Sequence, residues 1–370
     1  MSAPAATVRL AGIDVARALA IVGMLLIHVG PTRLESTAGR LYALPHGHAA
    51  VLFLLLAGVG VALLARSAAR RAIPGGIGVD LVWRAALLLP LGLWLQGVAS
   101  GLHIILQTYA LLFLLAIVAV RLPARWLLAL TALLALAGPL GFLAGRVLQP
   151  GVFNRTNVDF GDAPGEILHT LLLSGPYPLV TAAVPFMFGL WLGHRDLAAR
   201  GVQWRLMVGG TLAFIAVLGV TRALVGVFGE PGLVVGWLHV LSTDPHSQMP
   251  PWLWSATALA VAVLGACLLL ANRAGRVLVP LVALGRTALT FYVGHALALA
   301  YWPQTLQTSE PGRALAISAG ITGVAMVFAL VWLRLFRRGP LESVLQLPAW
   351  WFARHPAGAR HAAQSRGRHR

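Results

Sequence analysis

The sequence predicts an all-α integral membrane protein, a single polytopic bundle of about ten transmembrane helices. Hydrophobic residues make up 58% of the 370 and charged residues only 11%, far from the make-up of a soluble domain. Apolar runs of roughly 17 to 25 residues, the length that spans the hydrocarbon, recur along almost the whole chain. The linkers leave no room for a separate soluble domain, and backbone facing lipid must satisfy its own hydrogen bonds, which selects helices.

In order, the runs lie at residues 10–29, 48–65, 81–99, 102–120, 126–145, 178–194, 204–228, 252–271, 279–301 and 313–335. The first carries charge and lacks a signal-peptide cleavage pattern, so it is expected to be retained. Residues 1–340 form the helical domain and residues 341–370 a cytoplasmic basic tail, partly disordered, whose end RHPAGARHAAQSRGRHR suits anionic lipid headgroups. No clean internal repeat is visible, so an inverted-repeat transporter has no direct support in the sequence. Cys267, the one cysteine, sits within an apolar run, which excludes an internal disulfide or a thiolate metal cage.

A net charge of +17, carried by arginine, would suggest nucleic acid on a soluble chain; its distribution here points to topology instead. With residues 1–9 cytoplasmic and the spans alternating, Arg66, Arg70, Arg71, Arg121, Arg125, Arg195, Arg200, Arg205, Arg273, Arg276, Arg334, Arg337 and Arg338 fall inside. Glu35, Asp159, Asp162, Glu166, Glu230, Asp244 and Glu310 fall outside. The expectation is a multi-pass cell-membrane protein with both termini cytoplasmic and with lipids, not nucleic acid, as partners. Its oligomeric state stays open, a homodimer included.

The first run holds Asp14, Arg17 and His28 on one narrow helical face, with Arg17 and His28 about 16 Å apart along the axis. Asp14 and Arg17, one turn apart, can form a helix-end ion pair that snorkels to the headgroups, which explains both without any function. An intramembrane histidine is by default a group facing a cavity, although hydrogen bonding inside a bundle is the plainer alternative. His46, His48, His103, His169, His239, His246 and His295 also fall in or near the outer half. Imidazoles gathered about one mouth suit acid/base work near neutral pH, or metal binding. No HExxH pair occurs and the histidines lie on scattered spans, so no metal site is assigned.

The stretch PHGH at 45–48 leads into the second run, with Gly47 permitting close backbone approach. His103 and Gln107 share a face at the start of the fourth. Two punctuated outer loops, about 145–178 and 228–251, can dip back and line a cavity, the first with a short helix starting near Pro164. NRT at 154–156 is a glycosylation sequon of little weight.

Arg9, Asp14, Arg17, Ala18, Ala20, Gly23, Met24 and His28 together resemble the opening of heparan-α-glucosaminide N-acetyltransferase and its bacterial YeiB-like relatives. The spacing from Arg17 to His28 is similar to the first-helix motif of the wider transmembrane acyltransferases, and Arg66 with Arg70 resembles their RxxxR motif. PHGHAAVLFLLLAGVGVAL, IILQTYALLFLLA, DPHS, LGRTALTFYVGH and LFRRGPLE extend the resemblance to the bacterial relatives over nearly the full length. It implies transfer of an acyl group, usually acetyl, from cytoplasmic acyl-CoA to a sugar or amine acceptor on the other side. On that reading Arg66, Arg70, Arg71, Arg121 and Arg125 bind the phosphates of acetyl-CoA. His28, with His46 or His48, serves the acceptor as base or covalent carrier, while Asp14 and Arg17 orient the donor end. His103, Gln107, Asp244, His246 and His295 line the pocket. The competing reading is a solute transporter or exporter using the polar face of the first helix.

Overall fold

The computed structural model describes residues 10–31, 39, 42–70, 77–153, 157–232 and 234–346. It is 79% helix, with no strand among the described residues, and the chain is a polytopic helical membrane protein. The main helices are α1 (Ala11–Val29), α2 (His48–Arg70), α3 (Gly78–Val98), α4 (Leu106–Ala119), α5 (Ala124–Leu148), α6 (Pro164–His169) and α7 (Leu179–Leu192). They continue with α8 (Arg200–Phe228), α9 (Pro250–Ala274), α10 (Val279–Arg286), α11 (Ala288–Tyr301), α12 (Pro311–Leu335) and α13 (Pro340–Val344). Arg9, Glu35, Arg71, the sequon at 154–156 and the tail from 347 onward lie outside the described residues.

All ten apolar runs are helical, but they do not make ten full spans. Among the described residues seven helices have the length and composition to cross a membrane, or eight if the helical stretch Pro164–Ser174 and α7, bent by 56° at their break, count as one. The apolar helices α4 and α11 have only 14 residues each, about 21 Å of rise against a core of about 30 Å. The run expected as one span over 279–301 breaks at Thr287, between α10 and α11.

The breaks persist because other parts of the chain satisfy the freed backbone. Gln96 Oε1 accepts from the Ile104 amide at 3.0 Å, and the Ile105 amide donates to the Tyr292 hydroxyl at 3.2 Å, both at the start of α4. At the start of α11, one oxygen of Glu342 accepts from the Leu289 and Thr290 amides at 2.7 and 3.0 Å, and the other accepts from the Thr290 hydroxyl at 2.7 Å. A helix N-terminus is the favoured place for a carboxylate, and irregular backbone at membrane depth survives only where protein completes its hydrogen bonds.

Glu342 lies at the start of the stretch that the sequence assigns to a tail. Residues 336–346 are folded against the bundle rather than free. Arg286 donates to the Arg337 carbonyl at 2.8 Å, Trp332 to that of Arg338 at 2.8 Å, and Trp83 to that of Val344 at 2.9 Å.

α1 is the axis of the bundle, packing on α2, α9, α10, α11 and α12. Where helices approach most closely, glycine makes the approach: Gly58 of α2 lies on the Phe186 carbonyl of α7, and Gly189 of α7 on the Leu55 carbonyl of α2. Two facing glycines let the backbones meet without side chains between them, the usual device when lipid offers no hydrophobic drive for association. α8, in contrast, packs chiefly on α9 and buries only Gln203, Leu206, Gly210 and Thr221 of its 29 residues.

Gly58→Val is expected to destabilise the protein by about 2 kcal/mol through overpacking. Gly219→Ala, whose Cβ would meet nothing within 4 Å, should leave it unchanged. Thermal unfolding in detergent compares the two. Glu342→Gln should cost about 1 kcal/mol in the same assay, since it removes the charge from the α11 cap.

Candidate functional site

Two polar groupings sit at opposite ends of the bundle, separated by aromatic side chains. At one end, the arginine face, a cavity of about 460 Å³ opens between α1, α2, α3, α4, α10, α11 and the folded segment 336–346. Arg17, Arg84, Arg286, Arg337 and Arg338 line it, with Glu342 as the acidic residue among them. Arg17 owes its place to Asp14, a 1% exposed carboxylate whose Oδ1 accepts from Arg17 Nη1 at 3.0 Å. The pair expected from the sequence does form, with Asp14 buried and Arg17 half-buried at the edge of the cavity. Gly285 of α10 packs directly on the Asp14 backbone, closing that side. Arg84 Nε is buried without a hydrogen-bond partner among the described residues.

Phe53, Tyr109, Leu106 and Phe113 stand among the apolar residues of the cavity wall. The Phe53 ring lies 5.3 Å from Tyr109 and 6.5 Å from Tyr292. The Tyr109 hydroxyl is buried without a hydrogen-bond partner among the described residues. Tyr292 in turn meets His295 edge-on at 5.3 Å, and His295 Nε2 is 3.2 Å from His28 Nδ1. The cavity wall therefore leads through Tyr292 into the second group, the histidine face.

There His246 is the hub: its ring lies 5.5 Å from His46, 6.1 Å from His103, 5.2 Å from Tyr177 and 5.8 Å from Trp252. His28 is within electrostatic reach of His46, His103, His246 and His295. Five histidines named from the sequence, on the first run, PHGH, the fourth run, DPHS and the ninth, thus converge. His103 Nδ1 donates to Asn157 Oδ1 at 2.9 Å, joining the 145–178 loop. Gln248 joins the second loop to the first: it accepts from Thr181 Oγ1 at 2.6 Å and donates to the Pro176 carbonyl at 2.8 Å. His246 and Gln248 both hold left-handed backbone, φ 61° and 62°, a conformation that costs non-glycine residues about 1 to 3 kcal/mol and collects at functional sites. Gly47, φ 73°, passes under the Trp252 indole, where a Cβ would lie 3.1 Å from the ring, so close backbone approach is realised.

Other expected site residues stand elsewhere. His48 donates from Nδ1 to the His46 carbonyl at 3.1 Å and sets its ring edge-on to Phe214, so it secures its own turn. Gln107 is 2% exposed and donates to the Gly92 carbonyl at 3.1 Å, tying α4 to α3. Asp244 is exposed and accepts from Ser242 Oγ at 3.2 Å, bracing the turn that carries His246. The expected phosphate-binding arginines do not line the cavity. On α2 its wall ends at Leu64, short of both Arg66 and Arg70, while Arg121 and Arg125 are exposed. The arginines that do line it are Arg17, Arg84 and those at the α10 break and the folded segment.

Sequence reasoning also passed over Phe53, Tyr109, Tyr292, Asn157 and Gln248. Tyr109 and Tyr292 had a signal, standing inside IILQTYALLFLLA and LGRTALTFYVGH; Asn157 and Gln248 had none. Among the described residues no group of three or more His, Cys, Asp or Glu is arranged to hold a metal ion.

Residues 198–352 match the model of a family described as a protein of unknown function, DUF418. No curated protein matches the chain. The matched region supplies His246, His295, Arg286, Arg337, Arg338 and Glu342, and the rest of both polar groupings comes from helices before it.

Burial first, then the nearby His46, His103 and His48, pushes the His246 imidazole down to about 3. Unfolded, it takes up a proton near its ordinary value of 6.5, so below that pH the unfolded chain binds more protons and stability falls with falling pH. By pH 5 the loss is about 2 kcal/mol, at about 1.4 kcal/mol per pH unit. His246→Gln is expected to flatten this slope, measured as unfolding temperature between pH 7 and pH 5.

Proposed function

We propose that the protein is a membrane-embedded acyltransferase. It takes an acyl group, acetyl foremost, from acyl-CoA held at the arginine face and passes it to an amine or hydroxyl of a sugar-like acceptor at the histidine face. The observation that carries this reading is the contact chain from the arginine-lined cavity through Phe53, Tyr109 and Tyr292 to His295 and His28. Five arginines suit the phosphates of a coenzyme A, and a narrow apolar interior suits its pantetheine arm. With the arginine face cytoplasmic, as the positive-inside rule favours, donor and acceptor approach from opposite sides.

In this scheme the acceptor nitrogen or oxygen attacks the thioester carbonyl carbon, and a histidine takes the acceptor's proton. The Tyr109 hydroxyl donates to the oxyanion that develops. The carbon–sulfur bond then breaks, and the proton passes from histidine to the departing thiolate, so that free coenzyme A leaves by the arginine face. The likeness of the first helix to YeiB-like proteins agrees with this chemistry.

Acetyl-CoA at a hundredfold excess over its Kd should stabilise the purified protein by about 2.7 kcal/mol. That gain should vanish in Arg84→Ala/Arg337→Ala and persist in Arg66→Ala/Arg70→Ala, as read by thermal unfolding. Radiolabelled acetyl should pass to an amino sugar only in protein that responds to the donor. Absence of any acetyl-CoA response, with solute counterflow in proteoliposomes, would replace the enzyme by a transporter.

A further inference from the structure

We infer that His28 accepts the proton through its Nε2 atom, and that His295 is the positioning residue that fixes His28 in the tautomer this requires. The inference rests on the acyltransferase reading for the source of the proton, and on hydrogen-bond geometry for everything else. His295 Nδ1 lies 3.1 Å from the Phe291 carbonyl, one turn back on α11. A carbonyl oxygen only accepts, so that nitrogen carries the hydrogen. His295 is 2% exposed between the Phe291 and Tyr292 rings, and no carboxylate pairs with either histidine among the described residues. A buried charge without a counter-charge is costly, so the resting pair is neutral.

Neutral His295 with its hydrogen on Nδ1 has a lone pair on Nε2. Nε2 is 3.2 Å from His28 Nδ1, so His28 is the donor there, its Nδ1 protonated and its Nε2 left with a lone pair. This is the reverse of the tautomer free histidine favours. The Gln307 amide donates to the His28 carbonyl at 3.1 Å and helps hold the end of α1, which leaves the imidazole Nε2 to the acceptor. When the acceptor's proton reaches Nε2, the imidazolium keeps its Nδ1–H bond to His295 Nε2, which stabilises the charge without moving either ring. The same proton then goes to the coenzyme A thiolate, and His28 returns to its starting tautomer.

The test combines nitrogen-15 NMR of histidine-labelled protein in nanodiscs, with His28 assigned from a His28→Asn spectrum, and acetyl-transfer kinetics. Wild type and His295→Gln, which keeps an acceptor for His28 Nδ1–H, should show His28 Nε2 unprotonated. His295→Leu should move the hydrogen to Nε2. It should also lower kcat about a hundredfold with KM unchanged, while His295→Gln stays within tenfold of wild type. A protonated Nε2 in wild type, or equal kcat in the Gln and Leu variants, overturns the inference. If wild type transfers no acetyl at all, the acyltransferase reading fails, and the NMR arm still decides the tautomer.

Discussion

The buried carboxylate of Asp14 is the constraint on which the rest of the molecule depends. A charge 1% exposed inside a helical bundle persists only if paired, and the pair is with Arg17, one turn along the same helix. That bond fixes the guanidinium at the edge of the cavity. On the backbone side of Asp14 the neighbour is Gly285, which lies against the Asp14 main chain where a Cβ would not fit. From Gly285 the chain reaches Arg286, which bonds the 336–346 segment, and then the break at Thr287 that Glu342 caps. Three of the five cavity arginines are thus placed by contacts traceable to one acidic residue on the first helix.

The two polar groupings differ in how they tolerate burial. The arginine side places charge around a cavity of about 460 Å³, where long side chains can share solvent or an anion. The histidine side sets the His246 ring edge-on to His103 and Tyr177, with His246 pushed down to about 3 so that it stays uncharged. Between them lies a layer of Phe53, Tyr109 and Tyr292, whose rings carry apolar bulk, while the two tyrosine hydroxyls can still meet a polar atom.

Much of this was legible in the sequence because a membrane suppresses ionisable residues unless something requires them. Asp14, Arg17 and His28 stood out on that ground, and so did the histidines at 46, 103, 246 and 295. What the sequence concealed was which arginines face inward. Arginine at the end of any span satisfies topology equally well, so Arg66 and Arg84 look alike until the depth of the cavity is known. The shortness of α4 and α11 was hidden for a related reason: hydropathy registers apolar length, while the breaks depend on the side-chain bonds of Gln96 and on Tyr292 and Glu342 arriving from distant positions. The folded start of the basic segment was masked by the arginine-rich, aperiodic composition of residues 354–370.

The 29 residues of α8 amount to about 43 Å of helix, well beyond a hydrocarbon layer of about 30 Å. Such a rod must lean, and its packing on α9, with the His48 ring of α2 edge-on to Phe214, is what holds the lean. Its far end leads into the loop that carries His246, so the slope of α8 also fixes where that loop begins.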